Sequence, residues 1–140
     1  CGTGSIGIFL SKKVKKIIGV ELIEQAIEDA IKNAAINHIE HAHFFAGDVI
    51  KICDDAFFET HGRPDVVITD PPRAGMHEKL VNKLLEIAAP KIVYVSCNTA
   101  TQARDIALLS IKYRLEKIQP VDMFPHTHHI ESVALLILKN

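Results

Sequence analysis

The sequence has 140 residues, with 16 Lys and Arg against 17 Asp and Glu, a formal charge of −1, and eight His. Hydrophobic residues make up 48% and charged residues 24%, which excludes a disordered tail, a collagen-like chain and a disulfide scaffold. A single domain is expected at this length, and near-neutral charge argues against a self-sufficient nucleic-acid binder resting on a basic face.

The chain opens on the glycine-rich turn Cys1-Gly2-Thr3-Gly4-Ser5-Ile6-Gly7 rather than on Met. Such a turn normally ends a β-strand and aims the next helix's N–H groups at a ligand. The chain is therefore expected to be the carboxy-terminal part of a longer protein, cut just after its first strand. No basic segment followed by an apolar one marks a signal peptide. A short helix is predicted from Ile6 to Leu10, with Lys12-Lys13-Val14-Lys15-Lys16 as its solvated end. Lys16 to Val20 reads as a strand. Ile23, Ala26, Ile27, Ala30 and Ile31 recur at helical spacing and predict a helix up to about Ala35. A short strand follows from His43 to Ala46, then a weaker helix from Val49 to Glu59.

Gly62-Arg63-Pro64 breaks the chain before the strand Asp65 to Thr69, and Pro71-Pro72 ends that strand. His77 to Ala89 has helical periodicity, Lys91 to Ser96 is a β-rich apolar run, and Thr101 to Ile111 is a further helix. Arg114 to Met123 and Ile130 to Leu138 predict a terminal β-hairpin. No apolar run nears the roughly 20 residues of a membrane span; Val133 to Leu138 is strand-sized. The β–α alternation predicts an α/β fold, a parallel sheet with helices on both faces and an antiparallel pair at its edge. The separated Cys1, Cys53 and Cys97 form no C-x-x-C pair, which predicts free thiols in a reducing, cytoplasmic setting.

Gly2-x-Gly4-x-x-Gly7 fits a nicotinamide-dinucleotide turn, an S-adenosylmethionine turn or a plain strand–helix turn. Glu21, ending Gly19-Val20-Glu21, stands where a carboxylate accepts hydrogen bonds from ribose hydroxyls, which suits either cofactor. Asp48, after Gly47, could meet an adenine edge or simply cap a helix. Asp70-Pro71-Pro72-Arg73 follows a strand whose carboxyl end faces the ligand crevice of an open α/β sheet. Amino-methyltransferases carry a similar motif, but with an aromatic residue next, where this chain has Arg73. Cys97, in Ser96-Cys97-Asn98, lies in a strand-end loop suited to a nucleophile, although a buried small hydrophobe is the commoner fate of such a thiol. His126, His128, His129 and Glu131 suggest a metal, but neighbouring side chains on an extended segment point apart, so none is expected. Glu131 is the better candidate for a general base.

Together Cys1-Gly2-Thr3-Gly4, Gly19-Val20-Glu21, Asp70-Pro71-Pro72-Arg73-Ala74-Gly75, Ser96-Cys97-Asn98 with Ala103-Arg104-Asp105, and Phe124-Pro125-His126-Thr127-His128-His129-Ile130-Glu131 resemble the RNA uracil-5-methyltransferase family. The resemblance implies a Rossmann-like S-adenosylmethionine methyltransferase fold and the formation of 5-methyluridine in ribosomal or transfer RNA. It implies Cys97 as nucleophile, Glu131 as general base, and Asp70 as a carboxylate holding the target base and bordering the cofactor. Gly2, Gly4, Ser5, Glu21 and Asp48 fall at its cofactor-contacting positions. The family commonly has Pro after Ser-Cys-Asn, where this chain has Thr99. Its members also carry an upstream RNA-binding region, sometimes an iron–sulfur cluster. Without the upstream strand the 140 residues alone are expected to bind cofactor weakly and to methylate nothing. The alternatives are an exocyclic-amine methyltransferase using Asp70-Pro71-Pro72, a nicotinamide-binding domain, and a folded fragment without activity.

Overall fold

The computed structural model describes all residues except Phe124 and His128, so those two members of the motif before Glu131 lie outside the described residues. The chain forms two compact units, Cys1–Phe57 and Phe58–Asn140.

In the first unit α1 (Ser5–Leu10) runs into a 3-10 turn, Ser11–Lys13, and is followed by β1 (Ile17–Glu21), α2 (Glu24–Ile36), β2 (Ala42–Ala46) and α3 (Val49–Ile52). β1 and β2 pair in parallel with Ile17 opposite Ala42 and Glu21 opposite Ala46. The weak helix predicted from Val49 to Glu59 is two helices. Asp48 caps α3 through the N–H of Ile50, and the chain turns at Cys53 before α4 (Asp55–His61), with Asp54 Oδ1 accepting from Phe57 N–H.

The inward stripe of α2 is Ile27, Ala30 and Ala34, while Ile23 and Ile31 stay exposed, a narrower face than the apolar periodicity predicts. Small residues are used because the glycine turn approaches closely. A Cβ placed at Gly4 would stand 3.2 Å from Ala30 Cβ and 3.0 Å from the Phe44 ring. Phe44 also closes on β1, where a Cβ at Gly19 would fall 2.5 Å from its ring. One aromatic side chain thus packs against two glycines from different elements.

The second unit holds β3 (Val66–Thr69), α5 (Glu78–Ile87), β4 (Lys91–Ser96), α6 (Thr99–Leu109), β5 (Tyr113–Val121) and β6 (Glu131–Leu138). Its sheet has the order β3-β4-β6-β5, with β3 and β4 parallel and β6 antiparallel to both β4 and β5. The α/β class and the terminal antiparallel pair stand as expected. The strand order does not follow the chain: the last strand is inserted beside β4, and the one before it takes the edge. Ile92, Tyr94, Ala134 and Leu136 form the buried side of this sheet, joined by Val81, Leu84 and Ile87 of α5 and Leu109 of α6. β5 is exposed beyond Tyr113, whose hydroxyl donates to Ala89 O. Lys117 and Pro120 along that edge discourage pairing with another chain.

Gly19→Ala is expected to lower stability by about 1–3 kcal/mol, because Phe44 is already held against Gly4 and cannot yield. Urea-unfolding midpoints of the two proteins measure this.

Candidate functional site

The glycine turn is built from backbone that only glycine adopts comfortably. Gly2 and Gly4 have φ of 54° and 80°, and Gly4 N–H donates to Cys1 O before its own carbonyl accepts the N–H of Ile8 in α1. A Cβ at Gly2 would meet no atom within 4 Å, so the space beside the turn is open. Asn33, in the middle of α2, donates from its side chain to Thr3 O and steadies the turn from beneath. Ser5 begins α1, its hydroxyl 3.2 Å from that of Thr3. Asn33 was not singled out from the sequence; a lone polar residue on a helix gives no hint of a partner thirty positions away.

Glu21 ends β1 and is fully engaged. Oε2 accepts from Gly2 N–H and the Cys1 ammonium, both at 2.9 Å, and Oε1 accepts from Leu22 N–H at 2.9 Å and Ile23 N–H at 3.3 Å. Partial desolvation pushes this carboxyl up, but the backbone donors and the ammonium outweigh it and hold the pKa at about 2. Glu21 therefore clamps the glycine turn to the strand end, a role that its expected place near a ribose did not suggest. Asp48 stands half-buried on the next strand-end loop, one oxygen occupied by its capping bond.

In the second unit Asp70, Cys97 and Glu131 all stand at one end of the sheet. Asp70 follows β3 directly and Cys97 follows its parallel neighbour β4. Ser96, the last residue of β4, lies opposite Ser132, so Cys97 follows at the end of the sheet where Glu131 begins β6. Cys97 is partly exposed while Cys53 is buried. Desolvation pushes the Asp70 carboxyl up from the ordinary aspartate value.

The loops bearing these residues are tied by the first two turns of α6. Asn98 caps that helix, its Oδ1 accepting from Ala100 and Thr101 N–H, while its amide donates to Arg73 O. Thr101 Oγ1 lies 3.1 Å from the same carbonyl, and Arg104 donates to Ala74 O and Met76 O. Asp105 has no exposed surface. Its Oδ2 accepts from Met76 N–H at 2.7 Å and the Tyr94 hydroxyl at 2.6 Å, and its Oδ1 accepts from the Arg104 guanidinium. Burial, and then the bond to Asp105, push the Tyr94 phenol up. Gly75 is required where the loop passes this cluster, since a Cβ there would sit 2.7 Å from Asp105 Oδ2 at a φ of 78°. Gln102, also buried, donates to Tyr94 O and Ser132 O and joins β4 to β6 just below Cys97 and Glu131. Thr99 occupies the first helical position, where a proline would also fit. With the Asn98 cap and the Ser96 hydroxyl 3.0 Å from Asn98 O, the loop is held without that proline.

Arg73 Nη2 lies 2.7 Å from His129 Nδ1. Among the described residues no three His, Cys, Asp or Glu are grouped to hold a metal. No helix among them is long and apolar enough to cross a membrane.

A model of the tRNA (Uracil-5-)-methyltransferase family matches residues 1–139. An uncharacterized RNA methyltransferase of Bacteroides thetaiotaomicron is 55% identical over 138 residues, covering 99% of this chain and 30% of its own length. One from Porphyromonas gingivalis is 56% identical over 138 residues, with 97% and 30% covered. The chain thus spans about 30% of the length of these relatives. Among solved structures, the Pyrococcus abyssi tRNA (uracil-54, C5)-methyltransferase in complex with S-adenosyl-L-homocysteine superposes with a TM-score of 0.83 at 42% identity, over 97% of this chain and 32% of that one. The N-methyltransferase NodS of Bradyrhizobium japonicum, with a TM-score of 0.78 but 13% identity over 99% of this chain and 74% of that one, shares the fold alone.

Glu21 is depressed by folding, so its stabilisation is complete above its unfolded value near 4.5 and is lost as pH falls through about 2. Glu21→Gln is expected to flatten the loss of thermal stability between those pH values, a difference of roughly 2 kcal/mol followed by circular dichroism. Asp105→Ala is expected to cost about 3–5 kcal/mol, because Met76 N–H and the Tyr94 hydroxyl lose a buried acceptor. Faster amide exchange at Met76 is the local signature to measure.

Proposed function

The chain belongs to the tRNA (uracil-5-)-methyltransferase family, and from that premise we propose that it is the methyl-transferring part of an enzyme that uses S-adenosylmethionine to methylate C5 of a uridine in RNA. The observation that supports this reading is the pairing of Ser96 with Ser132, which brings the strand ends before Cys97 and after Glu131 to one end of the sheet, with the Asp70 loop bonded to the loop of Cys97 through Asn98. Covalent catalysis at uracil needs a nucleophile and a base within reach of one ring, and few other chemistries need a thiol and a carboxylate at adjoining strand ends.

The residues of the first unit suit the cofactor. Open space beside Gly2, the backbone N–H groups of the turn and a carboxylate at the next strand end fit a nucleoside bearing a charged amino-acid moiety. Gly2, Gly4, Ser5, Glu21 and Asp48 are the residues proposed to hold it. S-adenosylmethionine supplies an electrophilic methyl group when bound. A ribose hydroxyl would donate to the Glu21 carboxylate by sharing an oxygen with, or displacing, one of the present N–H donors.

Uracil C5 is a poor carbon nucleophile on its own. The Cys97 thiolate would form a bond to C6, the C5–C6 π electrons passing into the ring as an enolate; C5 would then take the methyl group as its bond to the sulfonium sulfur breaks, the electron pair leaving with S-adenosylhomocysteine. The methylated ring still carries the C5 proton. Glu131 takes that proton, the double bond re-forms, and the C6–S bond breaks to return the thiolate. Asp70, whose carboxyl desolvation pushes up, is proposed to hold the uracil ring through hydrogen bonds. A uridine paired in folded RNA has to swing out of its stack to reach such groups. We assign the substrate to transfer or ribosomal RNA, the setting to the cytoplasm, and much of the RNA recognition to protein outside these 140 residues.

In the protein that carries this chain, 5-fluorouridine RNA and S-adenosylmethionine are expected to leave a covalent protein–RNA adduct, because fluorine blocks the final proton removal. Cys97→Ala should form none and should retain less than about a thousandth of the activity. Glu131→Gln should accumulate the methylated adduct on ordinary uridine RNA. Formation of 5-methyluridine by Cys97→Ala would falsify the assignment, and mass spectrometry of digested RNA tells transfer from ribosomal substrates.

A further inference from the structure

Four of the 16 Lys and Arg lie within five residues, at Lys12, Lys13, Lys15 and Lys16, and no acidic residue falls between Ser5 and Val20. The helix α1 passes directly into the 3-10 turn Ser11–Lys13, so Phe9 shares a face with Lys12 and Lys13, three and four positions on. Phe9 is 84% exposed, more than any other large apolar side chain among the described residues. Lys12, Lys13 and Lys15 are exposed, and among the described residues they form no ion pair.

The backbone under these side chains is held in place. Ser11 is buried, its carbonyl accepts from Val14 N–H, and the His41 ring nitrogen Nε2 lies 3.0 Å from the same oxygen. His41 O in turn accepts from Ile17 N–H at the start of β1. Cations at a helix C-terminus complement its dipole, which accounts for Lys12 and Lys13. It accounts neither for Lys15, beyond the helix, nor for a bare phenyl ring at helical spacing from Lys12 and Lys13. Lys13 stands about 15 Å along α1 and its 3-10 end from the glycine turn, and Phe9 lies one helical turn beyond Ser5.

We infer that Phe9, Lys12, Lys13 and Lys15 are an RNA contact surface, with the ring stacking on an unpaired base and the ammonium groups meeting the flanking phosphates. The inference rests on the proposal that RNA is the substrate. Single-stranded RNA is the occupant whose chemistry uses both features together, since each base offers a flat face and each linkage a negative charge. The balanced overall charge is no obstacle, because the positive charge is gathered locally rather than spread.

Fluorescence anisotropy of the protein that carries this chain, with a labelled oligouridylate of about 20 nucleotides, and with bulk transfer RNA, from roughly 50 to 300 mM salt, tests this. Replacing Lys12, Lys13 and Lys15 together by Ala should reduce the slope of log affinity against log salt by about 2, at ~0.7 for each single-strand phosphate released. The same three positions changed to Arg should keep the slope. Phe9→Ala should weaken binding about tenfold with the slope unchanged, as loss of one stacking contact does. No RNA binding by the unaltered protein, an unchanged slope in the triple Ala variant, or a preference for phosphatidylglycerol vesicles over RNA overturns the proposal. The 5-fluorouridine assay on the unaltered protein separates the two readings, so a failed surface leaves the methylation assay standing, and a failed assay leaves the surface standing.

Discussion

Asp105 is a carboxylate with no solvent exposure, and the arrangement of the second unit depends on how its charge is satisfied. Taking such a group out of water costs several kcal/mol unless every lone pair finds a donor. Four donors reach its two oxygens, from the Arg104 guanidinium, the Met76 backbone and the Tyr94 hydroxyl. They come from a helix, a loop and a strand, so all three can move only by exposing an unpaired charge. The loop that begins at Asp70 has no regular structure of its own, yet it is pinned at Arg73, Ala74 and Met76 by side chains of α6. The same helix starts one residue past Cys97 and its neighbour Asn98. A single helix end thereby sets the positions of two loops carrying reactive groups.

The first unit reaches order by a different route. It has no buried charge cluster of this kind; its turn is shaped by close approach. Phe44 fills the space that side chains at Gly4 and Gly19 would have taken, and α2 presents Ala30 to the same place. Glu21 then ties the turn to the strand end by four hydrogen bonds, two of them to backbone N–H groups of the segment that follows it. Close packing leaves the turn few ways to relax, which suits a loop proposed to lie under a bound nucleoside. A rigid backbone offers its N–H groups without an ordering cost at the moment of binding.

Much of this was legible in the residues. Lys91–Ser96 is a strand over the full predicted range because alternating β-branched and aromatic residues serve a half-buried surface well. The Pro71-Pro72 pair ends β3 as expected, since proline supplies no N–H to a ladder. Boundaries that depend on capping moved. The helix predicted from Thr101 starts at Thr99 because Asn98 caps it, and the helix predicted from Val49 to Glu59 is cut in two between Cys53 and Asp54. The candidate residues Cys97, Asp70 and Glu131 could be picked out as motifs, but nothing in their spacing states that β6 lies against β4. That Glu21 holds its own glycine turn, and that Asn33, Gln102 and Asp105 support the loops, was likewise invisible.

The reason lies in the range of the forces. Periodicity, turn residues and motif chemistry act over a few positions, so the sequence by itself determined the element types, the glycine turn, the strand-end placement of Asp70 and Cys97, and the family resemblance. Strand order and side-chain bonding act between residues thirty or more apart, and many pairings satisfy the same local pattern. Only the tertiary structure decided that Ser96 pairs with Ser132, and with it that a thiol and a carboxylate thirty-four positions apart share one end of a sheet. A one-residue slip of that register would turn Ala134 and Leu136 away from the core, and burial of those side chains is what forbids it.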